Sequence, residues 1–97
     1  MQDLIQIPIN YETSSRRDIR RARKAHSIKQ GGKCWYCDVD LYKTPPDRIL
    51  DMQIGLHLFP PGFFNHRVHL HHDHATGMTV GTVHHVCNAI LWQYHGE

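Results

Sequence analysis

Cys34-Trp35-Tyr36-Cys37, His69-Leu70-His71-His72-Asp73-His74 and His84-His85-Val86-Cys87-Asn88 are three short stretches rich in side chains that bind metals or move protons. The outer two offer Cys34 with Cys37 and His84 with Cys87, each pair separated by two residues. Two such pairs can close a four-ligand shell, and sulfur with imidazole suits tetrahedral zinc. His85 could replace His84, but the two-residue gap favours His84. A closed shell makes the ion structural, so its binding free energy becomes folding free energy. The competing readings are buried free cysteines or a Cys37–Cys87 disulfide. With three cysteines in 97 residues, any disulfide scheme within the chain leaves a thiol over, which favours a metal in a reducing compartment. A chain this short buries a thin core and gains most from such a staple.

The middle stretch carries four histidines and an aspartate in six residues. On a strand, residues 71 and 73 point to one face and 72 and 74 to the other. Each imidazole needs a partner if buried, so this crowding would be costly in a plain core. A second metal site or a surface histidine cluster is the bland reading. The chemical one is phosphodiester hydrolysis. One histidine would act as general base for water, while a neighbouring ligand and Asn88 hold a divalent cation on the phosphate.

These stretches need elements to position them. Leu4, Ile5, Ile7 and Ile9 around Pro8 read as an extended arm kept at a sheet edge. Ser14 or Ser15 can cap a helix, with Ser15 and Asp18 as a capping-box-like pair. That helix runs to about Gln30 and ends at Gly31-Gly32. Its apolar stripe is thin: Ile19, Ala22, and Ala25 or His26. Cys34 to Cys37 forms a knuckle. Residues 44–65, with Pro45-Pro46 and Pro60-Pro61-Gly62, read as a long irregular connection holding a short strand at Ile54–Phe59. Arg67 to His72 and Met78 to Val83 are strands joined by the Ala75-Thr76-Gly77 turn. From His85 or Val86 the spacing of Val86, Ala89, Ile90 and Tyr94 is helical, and Gly96 closes it.

The net charge of +2 hides an asymmetry. Eight of the eleven lysines and arginines lie between Arg16 and Lys33, with Asp18 the only acid among them. From Cys34 onward acids outnumber bases six to three. Opposing acids for i,i+4 pairs are missing, so Arg16, Arg17, Arg20, Arg21, Arg23 and Lys24 suggest an arm for a polyanion rather than a merely solvated face. No apolar run approaches the roughly 18 residues of a membrane span, and no signal-peptide pattern opens the chain. The expected setting is intracellular: a bacterial cytoplasm or that of a phage-infected host.

The run His69-Leu70-His71-His72-Asp73-His74-Ala75-Thr76-Gly77, then Val80-Gly81, then His84-His85-Val86-Cys87-Asn88, resembles the recombination endonuclease VII-like family of the HNH (ββα-metal, or His-Me finger) nuclease superfamily. Its pattern is a His-x-Asp-His-Asp-His-Ala-Thr-Gly hairpin, a glycine and Cys-x-x-Cys-Asn, with an earlier Cys-x-x-Cys. The match spans residues 34–37 and 69–95, roughly a third of the chain. It implies a small α+β fold with a hairpin-plus-helix core, stapled by structural zinc, within residues 34–97; the arm and basic N-terminal helix at 1–33 and the 44–65 connection gain no support from it, and the whole is read as one HNH domain over 1–97. The resemblance implies His72 as general base, Asn88 as ligand to the catalytic cation, His74 on the phosphate, and Cys34, Cys37 and Cys87 on zinc. In two places the chain departs from the family. His84 stands where the family has a zinc cysteine. His71 stands where the family has a metal-binding aspartate, which leaves His71 or Asp73 to hold the catalytic Mn²⁺, Co²⁺, Ni²⁺ or Mg²⁺.

The expected function is a metal-dependent DNA endonuclease or nickase of phage or mobile-element type, leaving 5′-phosphate and 3′-hydroxyl ends. The alternative is a non-catalytic, zinc-stapled nucleic-acid-binding module, motivated by the missing aspartate. DNA is the expected partner and no membrane is. A monomer is favoured, because the sequence to Glu97 offers no long helical region for pairing; a homodimer is the alternative.

Overall fold

A computed structural model describes residues 5–96; Leu4, with the start of the expected arm, and Glu97 lie outside them. The order is α1 (Arg16–Lys29), α2 (Asp47–Leu50), a 3₁₀ turn (Leu56–Leu58), β1 (Val68–His72), β2 (Thr79–His84) and α3 (His85–His95). This is a small α+β chain. No helix among the described residues is long and apolar enough to cross a membrane.

Helix α1 starts where the sequence predicts. The Ser15 side chain accepts from the Asp18 amide at 3.1 Å, satisfying one of the free first-turn donors. The Asp18 carboxylate turns to Arg21 at 3.0 Å. Gly31 and Gly32, both at positive φ, turn the chain out of the helix. Ala22, Ala25 and His26 are buried, so the thin stripe is the packing face.

Strands β1 and β2 pair antiparallel, with His69 opposite Val83 and His71 opposite Gly81. The register slips between His71 and His72, so His72 faces Thr79. The hydroxyl of Thr82 donates to the Arg23 carbonyl at 3.1 Å, and His26 Nε2 meets Thr79 Oγ1 at 2.9 Å. One face of the hairpin therefore rests on α1. Val83 on the other face joins Cys34, Cys37, Leu41, Ile49, Cys87, Ile90 and Leu91 in the core. The outer edge of β2 is covered: the Gln30 amide both donates to and accepts from the Thr82 backbone at 2.9 and 2.8 Å, and the Trp35 amide donates to the same carbonyl. A Cβ on Gly81 would come within 2.8 Å of Gln30 Oε1 and of Trp35 Cγ, so this approach requires glycine.

The arm is extended as expected. Thr79 and Ile9 exchange hydrogen bonds, and the Tyr11 amide donates to the Gly77 carbonyl. The strand expected at Ile54–Phe59 is absent. Leu56–Leu58 forms a 3₁₀ turn, and Leu56 is 70 % exposed. The backbone there is held instead by α3: Gly55 donates to Gln93 Oε1, while Gln93 Nε2 and the Tyr94 hydroxyl donate to the Gln53 carbonyl.

Candidate metal centre and histidine cavity

Cys34, Cys37, His84 and Cys87 are all buried, and their ligand atoms lie within 4.8 Å of one another. The knuckle is formed by the Cys34 amide donating to the Val39 carbonyl and the Asp38 amide to the Cys34 carbonyl, with Asp38 at φ 64°. His84 caps α3, and Cys87 sits in its first turn. His84 Nδ1 is 3.4 Å from Cys37 Sγ and 3.7 Å from Cys87 Sγ. Bonds of about 2.3 Å to sulfur and 2.0–2.1 Å to nitrogen at tetrahedral angles put ligand atoms roughly 3.5–3.8 Å apart. The two His84 contacts lie near that range, and the four residues together could hold one metal ion. His84 Nε2 donates to the Asp40 carbonyl at 2.9 Å, which leaves the Nδ1 lone pair facing the sulfurs. This decides between His84 and His85.

All three cysteines are free thiols. Cys34 is pushed far below its usual value, first by its hydrogen bond with Cys87. Cys37 is pushed up by burial, and Cys87 by its bond to Cys34 and by burial. The sulfurs thus compete for ionisation, and a dication among them would favour the thiolate form of all three.

A second centre lies along the open edge of β1. A cavity of about 490 Å³ is lined by His69 and His71 from one face of the strand, by Leu70 and His72 from the other, by His74 after it, and by Asn88 of α3. His72, His74 and Asn88, all singled out by sequence, meet here together with His71. His71 is only 1 % exposed and sits beside the Trp35 ring, centroids 5.8 Å apart. His72 is held between two parallel rings, Tyr11 at 4.1 Å and His74 at 4.7 Å. Asp73 does not line the cavity; its carboxylate accepts from the Ala75 and Thr76 amides and shapes the turn. His69 was not singled out by sequence. Its Nδ1 receives Asn88 Nδ2 at 3.1 Å, leaving Asn88 Oδ1 for another partner. The signal was its place two residues before His71, on the same strand face.

Burial, with His85 nearby, lowers the His69 imidazole to about 4. His72 is also lowered, by burial first, then by His74 and His71. Both rings are therefore neutral at pH 7.

A groove of about 1220 Å³ shares Tyr11, Arg23 and His66 with the cavity wall. Arg16, Arg20 and Lys24 line it from α1, joined by Arg67, which charge clustering along the sequence did not reveal. Arg17 is exposed outside it, and Arg21 is engaged with Asp18.

Compared with known proteins, the chain matches no family model, no curated protein and no solved structure. Fold and geometry define a small α+β chain with a buried Cys₃His cluster able to hold a metal ion, and a histidine-lined cavity beside a basic groove.

Proposed function

We propose that this chain is a divalent-metal-dependent DNA endonuclease or nickase of the HNH (ββα-metal) superfamily, in its recombination endonuclease VII-like family. One juxtaposition carries this: His69, His71, His72 and His74 of the hairpin and Asn88 of the next helix line a single cavity that shares a wall with the arginine-bearing groove. His71 and Asn88 are the proposed cation ligands, with Asn88 turned by its bond to His69. Asp73 is committed to its turn and is not chosen. A divalent cation there would polarise the scissile phosphate and stabilise charge on the leaving 3′ oxygen. Neutral His72 takes a proton from the water that attacks phosphorus in line. His74, stacked on it, faces the phosphate. The α1 arginines grip the backbone without reading sequence. Products carry 5′-phosphate and 3′-hydroxyl ends.

The non-catalytic nucleic-acid-binding module is favoured by one observation: among the described residues no carboxylate lines the cavity. Incubating zinc-loaded protein with supercoiled, linear and branched DNA across several divalent metals separates the two. Cleavage under none of these conditions would leave the module.

The missing carboxylate also sets an expectation for the metal. His71 and Asn88 form a donor pair with no formal charge. Mg²⁺ prefers hard oxygen donors, whereas imidazole suits Ni²⁺, Co²⁺ and Zn²⁺ and is acceptable to Mn²⁺. Activity is expected to be higher with Mn²⁺, Co²⁺ or Ni²⁺ than with Mg²⁺ at equal concentration, and His71→Asp to shift preference towards Mg²⁺. A wild type working best in Mg²⁺ and indifferent to His71→Ala would place the cation elsewhere.

For the basic face, replacing Arg16, Arg17, Arg20 and Arg21 with alanine is expected to weaken DNA binding about equally on all sequences. The slope of log affinity against log salt should flatten by about 0.9 per lost duplex phosphate contact. Titrations at four salt concentrations would check this; an unchanged slope returns α1 to a solvated face.

A further inference from the structure

The cavity has a second wall that the proposed chemistry does not use. Beside the histidines it is lined by Leu58, Phe59, Phe63 and Trp92. Phe59 packs on Phe63 with ring centroids 4.8 Å apart and on Trp92 at 5.4 Å. Phe63 meets His69 edge-on at 4.8 Å, so the aromatic wall reaches the histidine that holds Asn88. Leu58 and Trp92 remain 44 % and 43 % exposed.

Aromatic rings beside a cationic groove form the usual arrangement for holding a strand whose bases are unstacked: the groove follows phosphates and the rings take base faces. A duplex cannot use such a wall, because it presents base edges in its grooves and keeps the faces stacked. At about 490 Å³ the cavity is within the range that holds small ligands.

We infer that the cavity takes an unpaired nucleotide, its base stacked against Phe59, Phe63 and Trp92, so that single-stranded or locally opened DNA is the preferred substrate. This deepens the proposed nuclease reading and rests on it for the cleavage step alone. A second copy of the chain is the less suitable occupant, since the adjoining groove is cationic in both copies.

The test uses one DNA sequence as a single strand, a full duplex and a duplex with a central unpaired tract. Binding is measured by anisotropy on zinc-loaded His72→Ala protein without added divalent cation, so that nothing is cut. The single strand and the opened duplex are expected to bind at least about tenfold tighter than the full duplex, and to quench tryptophan emission. Phe59→Leu with Phe63→Leu keeps the wall apolar but removes the rings. It should weaken single-strand binding by about 5- to 150-fold and leave duplex binding within about threefold. Trp92→Leu, at an exposed position, should move the same way and abolish most of the quenching. Equal binding of all three DNAs, a preference that survives both variants, or dimerisation through these residues without a DNA preference would overturn the inference. Cleavage is scored separately with wild type. A strand preference without cleavage removes the nuclease reading and leaves this one standing; cleavage with duplex preference does the reverse.

Discussion

Cys34→Ser is expected to give a largely unfolded or insoluble chain, and wild-type protein to carry one tightly held zinc. Among the described residues, Leu41, Ile49, Val83 and Ile90 are the aliphatic side chains larger than alanine that are no more than 1 % exposed. Full burial of each contributes about 1.5–3 kcal/mol. Structural zinc in small peptides binds with an apparent free energy of about 10–16 kcal/mol, which is at least comparable to the four together. The cluster also sits inside the core: Cys34, Cys37 and Cys87 pack with those aliphatics. It ties the knuckle, the end of β2 and the first turn of α3 into one body. Loss of one sulfur removes a ligand from a four-ligand shell and leaves a polar hydroxyl at a position 2 % exposed. Elemental analysis and circular-dichroism melting of wild type and variant measure both halves. Cooperatively folded wild-type protein without metal would refute the assignment.

The zinc-type cluster was legible because its ligands come in two local pairs, and each pair is positioned by a turn or a helix start. Helix α1 was legible for the same reason: Ser15 and Gly31-Gly32 are local start and stop signals that nothing distant contradicts. The hairpin and α3 followed from alternation, from the Ala75-Thr76-Gly77 turn and from Gly96. The segment around Ile54–Phe59 was misread because its alternation is local while its fate is not. Its backbone partners are the Gln93 and Tyr94 side chains, some forty residues away.

The cavity was legible only in part. His71, His72, His74 and Asn88 were marked by type and spacing, but strand alternation alone would separate His71 from His72. Both line one cavity because it runs along the open edge of β1, where the pairing register also slips. His69, Tyr11 and Arg67 carried no sequence signal strong enough to single them out. Their roles depend on how α3, the arm and the chain before β1 come together. The Tyr11 ring arrives at His72 only because residues 9–11 hydrogen-bond to residues 77–79.

On the proposed chemistry, His72→Ala is expected to cut nicking by at least about 10²-fold while leaving DNA affinity intact, as for loss of a general base. The ring is fixed in orientation, because Tyr11 and His74 lie parallel to it on their stacking contacts, both with interplanar angles of 3°. Its environment also sets its charge. Burial, then His74 and His71, lowers its affinity for a proton, so the ring is the free base at pH 7. The sign for activity follows. The competent form is neutral, so the rate should be flat through neutral pH and fall only as pH drops below the ordinary imidazole value of about 6.5. His72→Ala should abolish that acid limb as well as lower the rate. His74→Ala removes a like-charge neighbour and one stacking ring, so it should move the limb towards higher pH. Single-turnover nicking of supercoiled DNA between pH 5 and 8 reads both. Normal nicking by His72→Ala with none by His74→Ala would shift the base two residues along the hairpin, making Asp73 and His74 the pair to test.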